Sequence, residues 1–436
     1  MKRVAVIGGG LAGITAALDC AEQGAGVTLF ESRGRLGGAA YSFVRDGLHV
    51  DNGQHVFLRC CVQYRALLKR IGAEDLVTLQ SRLEIPVLAP GMEPAWLRRS
   101  GLPAPLHLAP ALMRYPFLKR RARLSLARAM RALGRIDPDD PAADAQTFGD
   151  WLTQHGEGSD AIASVWELIA RPTLNLAAAD ASLAQAAYVF QQGLLSDAAA
   201  ADVGYARGPL GEIHDLAARR ALAQAGVEVQ LRSGVVALSA ESDGFRIAIS
   251  GQPTQSADTV VLAVSAARAA RLLPTGAGLD PRRLDRLGTS PIVDLHIVLD
   301  RPVLSLPFAA AVRSPVQWVF DRTRAAGLSE GQYLAVSLSA ADAELEMTAA
   351  ELEAIFVPAL TELLPAMREA ELLSFFVTRE HAATFRAAPG ARALRPGPRT
   401  QIPGLVLAGA WTDTGWPATL EGAVRSGHAA SREALS

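Results

Sequence analysis

An apolar strand that runs directly into a glycine-rich turn constrains this chain more than any other feature. Val4-Ala5-Val6-Ile7 continues into Gly8-Gly9-Gly10-Leu11-Ala12-Gly13, which has the GxGxxG spacing. The alanine-rich stretch 14–23 predicts a helix, and residues 27–30 predict a second strand, which ends in Glu31. The three elements make a βαβ unit, so the chain is predicted to begin with a Rossmann-like nucleotide-binding fold.

The residues of the GxGxxG turn have separate predicted roles at a bound dinucleotide. Gly8 makes the tight turn, Gly10 lets the backbone approach a pyrophosphate, and Gly13 lets the helix pack closely on the strand. Leu11 and Ala12 belong to the helix amino terminus, which faces the phosphates.

An acidic side chain follows the second strand at the distance from the glycines where it can bind a ribose. Glu31 is predicted to accept hydrogen bonds from the adenosine ribose, and its charge would repel a 2′-phosphate, which argues against NADP. Ser32, the next residue, is assigned to the same cofactor site.

A second glycine segment, Arg35-Leu36-Gly37-Gly38, comes just after the acid. The amides of Gly37 and Gly38 and the Arg35 guanidinium suit the far side of a diphosphate. With this segment the chain resembles the flavoprotein superfamily of amine oxidases, protoporphyrinogen oxidase and phytoene desaturases, whose signature is Arg-x-Gly-Gly after the acid. The resemblance implies FAD as cofactor. It also implies an α/β fold, with a Rossmann-like FAD-binding domain of the glutathione reductase and amine oxidase type and a second, mixed α+β substrate domain.

The carboxyl-terminal end carries the expected partner of this site. Residues 404–409 predict a buried strand and a glycine turn, and the stretch 410–427 is predicted to become a helix whose first amides meet the flavin. Four residues here are assigned to the cofactor: Gly409, Ala410, Thr419 and Leu420. Many members of the superfamily have Asp where this chain has Ala410, and Asp413 is a candidate substitute.

The middle of the chain supplies further strands. The runs 226–229 and 234–236 predict paired strands, and in relatives the second places a valine amide on the adenine, which makes Val235 the candidate here. Residues 259–264 predict another strand of the same sheet. The resemblance implies a discontinuous FAD-binding domain of residues 1–75, 206–290 and 396–436, and a substrate and membrane-facing domain of residues 76–205 and 291–395.

The segment Asp51-Asn52-Gly53-Gln54-His55-Val56-Phe57 comes where relatives pass under the flavin ring. Gly53 leaves room for ring and substrate, and Gln54 and His55 are assigned to the cofactor site with it. His55 is also a candidate proton donor, because imidazole titrates near neutrality. No metal-ligand constellation is completed around this segment, so no metal is predicted.

Over essentially its whole length the chain resembles bacterial hydroxysqualene dehydroxylases, through 52–57, 173–176 and 411–423. The strand 292–299 lacks the lysine that amine oxidases usually place opposite flavin N5, which disfavours amine oxidation. The resemblance implies reduction of hydroxysqualene, an apolar C30 isoprenoid, to squalene in hopanoid biosynthesis, with hydride from reduced flavin. The electron donor that reduces the flavin stays open.

The reaction requires an acid, and the candidates are His55, Asp413 and Glu421. Glu421 could instead cap a helix or pair with Arg425 at helical spacing. Two other functions stay open at this point. One is a carotenoid-type desaturase or isomerase, and the other is a non-catalytic flavin-binding partner in a prenyl-lipid complex.

A local charge imbalance predicts the membrane as a partner. The whole chain is balanced, with 43 basic and 44 acidic residues, so nucleic acid is not indicated. Residues 98–135, the basic segment, contain ten Lys or Arg and no Asp or Glu. Its helical wheel puts Leu118, Ala122, Leu126, Ala129, Met130 and Leu133 opposite Arg120, Arg121, Arg128, Arg131 and Arg135. This predicts binding to an anionic membrane surface, with a core helix bearing a solvated arginine face as the alternative.

Three cysteines, two of them adjacent, indicate neither a disulfide framework nor a zinc site. No run of eighteen apolar residues occurs. We therefore expect a cytoplasmic protein with peripheral membrane association.

Overall fold

The structure is a computed structural model that describes residues 1–436, and its strands form five sheets. The strands, in chain order, are β1 (Arg3–Ile7), β2 (Gly26–Phe30), β3 (Ser42–Arg45), β4 (Leu48–Asp51), β5 (Val56–Leu58), β6 (Val77–Leu79), β7 (Glu84–Leu88), β8 (Ala95–Arg98), β9 (Val203–Ala206), β10 (Glu228–Gln230), β11 (Val235–Glu241), β12 (Gly244–Ile249), β13 (Gln255–Ala257), β14 (Thr259–Leu262), β15 (Ser290–Leu299), β16 (Phe308–Ala311), β17 (Trp318–Asp321), β18 (Gln332–Ser339), β19 (Leu372–Thr384) and β20 (Leu405–Leu407).

The α-helices are α1 (Leu11–Glu22), α2 (Val62–Arg70), α3 (Ala109–Arg114), α4 (Arg120–Leu133), α5 (Pro141–Asp144), α6 (Phe148–Gln154), α7 (Ser159–Ala161), α8 (Glu167–Leu174), α9 (Leu183–Phe190), α10 (Ala218–Gln224), α11 (Ala266–Leu272), α12 (Pro281–Asp285), α13 (Thr323–Ala326), α14 (Asp342–Leu345), α15 (Ala349–Leu363), α16 (Ala391–Leu394) and α17 (Leu420–Leu435). Three π-helical turns continue them at Ile162–Trp166, Gln191–Leu195 and Glu212–Ala217. No helix is both long and apolar enough to cross a membrane.

The parallel sheet has the order β10-β2-β1-β14-β20, and every neighbouring pair in it is parallel. Its strands come from three separated parts of the chain, 3–30, 228–262 and 405–407. Helices α1 and α17 pack together beside it. Because the carboxyl ends of β1, β14 and β20 lie at one edge, that edge is where an open α/β sheet binds its ligand.

The large sheet has seven strands in the order β19-β15-β18-β17-β16-β7-β8. On β15, Val293, Leu295 and Ile297 point to one face and pack in an apolar cluster that includes Phe356 of α15. Side chains alternate along a strand, so Asp294 and His296 point to the other face. We call that second face the polar face.

The two sheets separate most of the chain as the predicted domain blocks do, but the boundaries themselves stay a prediction. One small sheet, β5-β9-β6, crosses the predicted boundary after residue 75. Strand β5 belongs to the predicted FAD-binding block, and β6 belongs to the predicted substrate block. Strand β9 joins the two through pairs such as Val56 with Tyr205 and Thr78 with Tyr205.

The predicted pairing of 226–229 with 234–236 is wrong. Strand β10 lies at the edge of the parallel sheet, whereas β11 belongs to a separate antiparallel sheet with β12 and β13. The turn between them does not close a hairpin because its amides bond elsewhere. Arg232 donates to the Arg33 carbonyl and Ser233 donates to the Glu31 carbonyl, at 3.0 and 2.8 Å.

The helix predicted over 410–427 begins later than expected. Helix α17 starts at Leu420, and the Thr419 side chain caps it by accepting from the Gly422 amide at 3.2 Å. Residues before it form turns, because Gly415 has a φ of +73° and Pro417 has no amide hydrogen to donate. The cofactor-facing helix therefore begins ten residues later than predicted, after a loop.

The basic segment forms α3 and α4, and the apolar side of α4 packs inward. Leu126, Ala129 and Leu133 are buried in the largest core cluster. This face is therefore not available to a bilayer. The arginines on the opposite side are exposed, as the alternative of a core helix with a solvated face predicted.

Candidate functional site

The glycines after β1 form a cradle that larger residues would fill. Gly8 has a φ of +112°, and a Cβ there would lie 2.3 Å from the Ala263 carbonyl oxygen. A Cβ on Gly13 would lie 1.9 Å from the Gly8 carbonyl oxygen. Only glycine lets the turn and the first turn of α1 pack this closely.

The two glycine segments lie side by side. Gly37 donates to the Gly9 carbonyl at 2.9 Å, and a Cβ on Gly38 would lie 2.8 Å from the Gly10 Cα. Gly10 is the N-cap of α1 and has no capping side chain, and no acidic residue stands in the first turn, which contains Leu11 and Ala12. The amides at this helix end are therefore suited to an anion.

Glu31 is buried and braces both segments. Its Oε2 accepts from the Gly9 amide at 2.7 Å, and its Oε1 accepts from the Arg33 amide at 2.7 Å and the Ser32 hydroxyl at 3.1 Å. A carboxylate offers about four acceptor sites, so a ribose hydroxyl can still be accommodated. Arg35 lies 3.4 Å from the centre of the Tyr41 ring, and its desolvation lowers the pKa of its guanidinium.

The carboxyl-terminal residues close the same edge of the sheet. Gly409, with a φ of +139°, donates to the Ser426 hydroxyl at 2.9 Å. A Cβ on Gly427 would lie 2.5 Å from the Ala12 carbonyl oxygen, so α17 packs directly on the first turn of α1. Ala410 is on the loop that follows this edge, and Thr419 and Leu420 are at the start of α17.

Arg395, which the sequence analysis missed, shapes this loop. Its buried guanidinium donates to the carbonyl oxygens of Thr412 and Trp416 at 2.6 and 2.7 Å and to that of Ala410 at 3.3 Å. Burial lowers its pKa to about 10, which still leaves it protonated at neutrality. Asp413 is exposed, and its carboxylate accepts from the Gly415 amide, so its one bond stabilises a turn.

The segment after the second glycine pair is fastened to the large sheet. Asn52 donates to the Ala39 carbonyl and to Glu380 of β19, both at 2.9 Å. Asp51 accepts from Arg322 at 2.7 Å in a buried ion pair. These bonds hold the Gly53 backbone against the polar face, because a Cβ there would lie 3.3 Å from Asp294 Oδ2.

Gln54 and His55 flank this contact. The His55 Cε1 atom would lie 3.7 Å from a Cβ on Gly53, and its Nδ1 is 3.2 Å from the Gly53 carbonyl oxygen. Desolvation lowers the pKa of His55, which favours a neutral ring. The Gln54 Nε2 is buried without a hydrogen-bond partner.

The polar face contains two titratable groups that the sequence analysis did not select. Asp294 is fully buried, and neither of its oxygens forms a hydrogen bond of normal geometry. Burial raises its pKa to about 7, although the Ser337 side chain and the Gln54 backbone oppose the rise. His296 bonds Tyr333 at 2.7 Å and Thr378 at 2.9 Å, and burial lowers its pKa to about 3. Two polar residues in an otherwise apolar strand were the signal that could have found them.

The remaining candidates have structural contacts. Glu421 is fully buried and accepts from the amides of Gln63 and Tyr64 at the start of α2 and from Arg425 at 2.8 Å. These contacts account for its burial without a proton-donor role, and its role as an acid stays a prediction. Val235 begins β11 and is buried, and its carbonyl accepts from Arg268 at 2.6 Å.

Comparison with known proteins identifies the family. Residues 11–435 match the model for flavin containing amine oxidoreductases. The chain belongs to this family. A hydroxysqualene dehydroxylase from Rhodopseudomonas palustris is 30% identical over 99% of this chain and 97% of its own length. A zeta-carotene desaturase from Arabidopsis thaliana is 25% identical over 98% of this chain and 84% of its own length.

The fold of the flavin containing amine oxidoreductases is also found in solved structures. Putrescine oxidase bound to putrescine superposes with a TM-score of 0.75 over 100% of this chain, at 19% identity. An oxidoreductase from Methanosarcina mazei reaches the same TM-score at 16% identity. The predicted fold class, a Rossmann-like FAD-binding domain with a substrate domain, is confirmed, and the protein is an FAD-dependent oxidoreductase.

The residues present fit FAD. The glycine cradle leaves its backbone amides open where a Cβ at Gly8 or Gly13 would close the turn. The uncapped start of α1 would hold the pyrophosphate, and Glu31 the adenosine ribose. The loop and helix start at 409–420 would hold the ribityl and ring end.

Proposed function

We propose that this protein reduces hydroxysqualene to squalene. The single observation that carries the proposal is the match along 99% of the chain to the hydroxysqualene dehydroxylase of Rhodopseudomonas palustris. A second relative of the same name, from Sinorhizobium fredii, is 28% identical over the whole chain. On β15, the polar face carries Asp294 and His296 and no lysine, which does not favour amine oxidation.

An aromatic row supports an apolar substrate. On the polar face, Trp318 stacks with Phe320 at 6.3 Å between ring centres, and Phe308 lies 6.0 Å from Phe320. Phe308 in turn contacts Tyr205, which pairs with Val56, the residue after His55. The row therefore connects the large sheet to the segment beside the predicted flavin position.

The polar face and this row suit the loss of a hydroxyl from an allylic alcohol. Protonation lets the hydroxyl leave as water, and the resulting allylic cation is delocalised. Bound reduced FAD supplies the hydride that quenches it. The protein's own contribution is to hold the hydrocarbon, exclude water and provide the proton, in a site where burial strengthens each electrostatic contact.

Product analysis tests the proposal. Purified holoenzyme, with its flavin reduced chemically under anaerobic conditions, is mixed with hydroxysqualene. We expect the absorbance of oxidised flavin to return as squalene forms, with one squalene produced for each flavin oxidised. Unchanged hydroxysqualene beside flavin that stays reduced would contradict the proposal.

The second candidate is oxidative desaturation of a carotenoid precursor, which the similarity to zeta-carotene desaturase favours. It requires the opposite electron flow. Oxidised holoenzyme incubated with phytoene would then form new double bonds while its flavin becomes reduced. Oxidised flavin and unaltered phytoene, together with squalene formation in the first assay, exclude this candidate.

We also propose that the basic segment docks on an anionic membrane from which the substrate is collected. The segment exposes apolar side chains despite the inward apolar face of α4, with Leu106 exposed by 56%, Met113 by 61% and Leu124 by 65%. Arg120 and Arg121 are exposed beside them, and each cation near an anionic surface contributes about 1 kcal/mol.

Sedimentation with phosphatidylserine-containing liposomes tests the membrane proposal. We expect the double variant R120Q/R121Q to bind about 30-fold less tightly, from about 2 kcal/mol of lost attraction. The matched control is R282Q/R286Q, which removes two exposed arginines in and after α12. Equal binding of both double variants would contradict the proposal.

A further inference from the structure

We propose that Asp294 is the general acid that protonates the leaving hydroxyl. This inference rests on the proposed reduction of hydroxysqualene, because that reaction needs a proton donor and the sequence analysis left the donor open. It goes further by naming a residue on β15, a strand that the sequence singled out only for its missing lysine.

The position of Asp294 follows from the register of the large sheet. Asp294 of β15 lies opposite Thr378 of β19 on one side and Ser337 of β18 on the other. Ser337 in turn lies opposite Trp318 of β17. Directly opposed residues point to the same face, and strands are about 4.8 Å apart, so Asp294 is about 10 Å from the Trp318 backbone in the same row.

The carboxyl is therefore placed between the aromatic row and the segment predicted beneath the flavin. Its Oδ2 would lie 3.3 Å from a Cβ on Gly53, so the glycine keeps this contact open. Neither oxygen forms a hydrogen bond of normal geometry, although the Ser337 side chain and the Gln54 backbone favour its charged form, and the side chain has no exposed surface. A buried polar group left unbonded is costly, and such groups in folded proteins are commonly explained by function.

The surrounding charges keep a proton on this carboxyl. Burial, with smaller contributions from the negative charges of Glu380 and Asp51, raises the pKa of Asp294 to about 7, against the Ser337 side chain and the Gln54 backbone, which lower it. Arg322 pairs with Asp51. Tyr333 of β18 also faces the group, with a pKa that burial raises.

The histidines near this carboxyl hold no such proton. Desolvation lowers the pKa of His55, and burial lowers that of His296 to about 3. Asp294 is thus the group on the polar face that carries a transferable proton near neutrality, which is the condition for an efficient general acid.

The step balances with one proton and one hydride. The O–H bond of the Asp294 carboxyl breaks as a new O–H bond forms on the substrate hydroxyl, and the allylic C–O bond breaks with both its electrons leaving on water. The hydride, from reduced flavin, forms the new C–H bond. Asp294 is left as a carboxylate and takes a proton from solvent before the next turnover.

The test compares D294N with D294E and with D144N. The amide of D294N has the shape of a protonated carboxyl but cannot give up a proton in this way, and D294E restores the acid. Asp144 is the matched control, a buried carboxylate that accepts from the Ser182 hydroxyl and the Arg392 amide. The FAD absorbance spectrum of each holoenzyme verifies that the variant folds and binds flavin.

Two readouts are measured on these proteins. In single turnovers of reduced holoenzyme with hydroxysqualene, we expect the wild-type rate to fall as pH rises through about 7, and D294N to be slower by about 100-fold or more. D294E recovers part of the rate with a shifted pH profile, and D144N keeps the wild-type profile. In infrared spectra, which need no substrate, the carbonyl band of a protonated carboxylic acid disappears with rising pH in the wild type and is missing in D294N.

The outcomes separate this inference from the proposed function. Squalene formation by D294N at the wild-type rate and pH profile overturns the role of Asp294 and leaves the function standing. An infrared band that D294N does not remove overturns it too. Failure of the wild type to form squalene, with FAD bound and reduced, overturns the function and with it the acid role.

Discussion

The FAD-binding edge of the parallel sheet and the polar face of the large sheet differ in how far apart in sequence their residues are. At the FAD edge, Gly8 to Gly13 and Glu31 are close in sequence, and their spacing alone defines the geometry. On the polar face, strand pairing puts Asp294 in the same row as Trp318, and a contact between distant segments brings it to Gly53. The difference shows that a cofactor site made of backbone can be recognised from spacing, whereas an acid supplied by a sheet depends on register.

The FAD-binding edge of the parallel sheet is expected to tolerate substitutions less well than the polar face. G13A puts a methyl group 1.9 Å from the Gly8 carbonyl oxygen, and both atoms belong to backbone that cannot move independently. We expect the free energy of unfolding to fall by about 5 kcal/mol, which is exceptional for a single substitution. We expect FAD affinity to fall by more than about 1,000-fold. FAD titration of the apoprotein measures it. The control is G101A, which adds a methyl into open space. Normal FAD binding by G13A would contradict the close packing proposed for the glycine cradle.

On the polar face, the buried Asp294 is expected to lower the free energy of unfolding when it is ionised. Folding favours protonated Asp294, since its pKa rises from 3.8 to about 7, so the unfolded chain binds fewer protons between these values and stability falls as pH rises through them. We expect D294N to abolish this fall and to exceed the wild type by about 4 kcal/mol above pH ~7. Denaturant unfolding of the holoenzymes across this pH range measures it. A D294N protein that loses stability with pH as the wild type does contradicts the prediction.

Glu421 tests whether every buried carboxylate is an acid. E421A removes the acceptor for two amides of α2 and leaves Arg425 without its partner, which we expect to cost about 3 kcal/mol of stability. Because these contacts are structural, the pH profile of turnover keeps its wild-type shape. Thermal unfolding and single-turnover rates measure the two effects. E421Q, which keeps an acceptor oxygen, is the milder comparison, and a changed pH profile in it would return Glu421 to the acid candidates.

The smallest expected effect is a change in FAD affinity caused by substitution of Ala410. A410D adds the carboxylate that many relatives carry after the last strand, beside a carbonyl that accepts from Arg395. We expect FAD to bind about fivefold more tightly, as one added hydrogen bond contributes about 1 kcal/mol. The FAD dissociation constant measures it. D413N is examined in parallel, and weaker FAD binding by D413N would show that Asp413 already takes this place.

Most of the FAD edge was predictable. The first βαβ unit, the second glycine segment and the strand before Gly409 are all found where the sequence indicated. The wrong predictions are at positions where interactions with distant parts of the chain replace the structure that the local sequence pattern favours. Ser233 bonds the Glu31 carbonyl instead of closing a hairpin, and the turn at Gly415 delays the last helix until Leu420. The role of Arg395 was not predictable, because its partners are backbone carbonyls of a loop whose conformation is known only in the folded chain.

Residue spacing and residue types were enough to predict the FAD-binding fold, the family and the lack of a lysine on β15. These follow from residue spacing, since a glycine turn, a helix start and an acid at a set distance leave few ways to fold. The inward packing of the apolar side of α4 and the burial of Asp294 beside Gly53 became known only from the folded chain. Burial and strand register are properties of the packed chain, and they turn an ordinary aspartate into a group that holds its proton near neutrality.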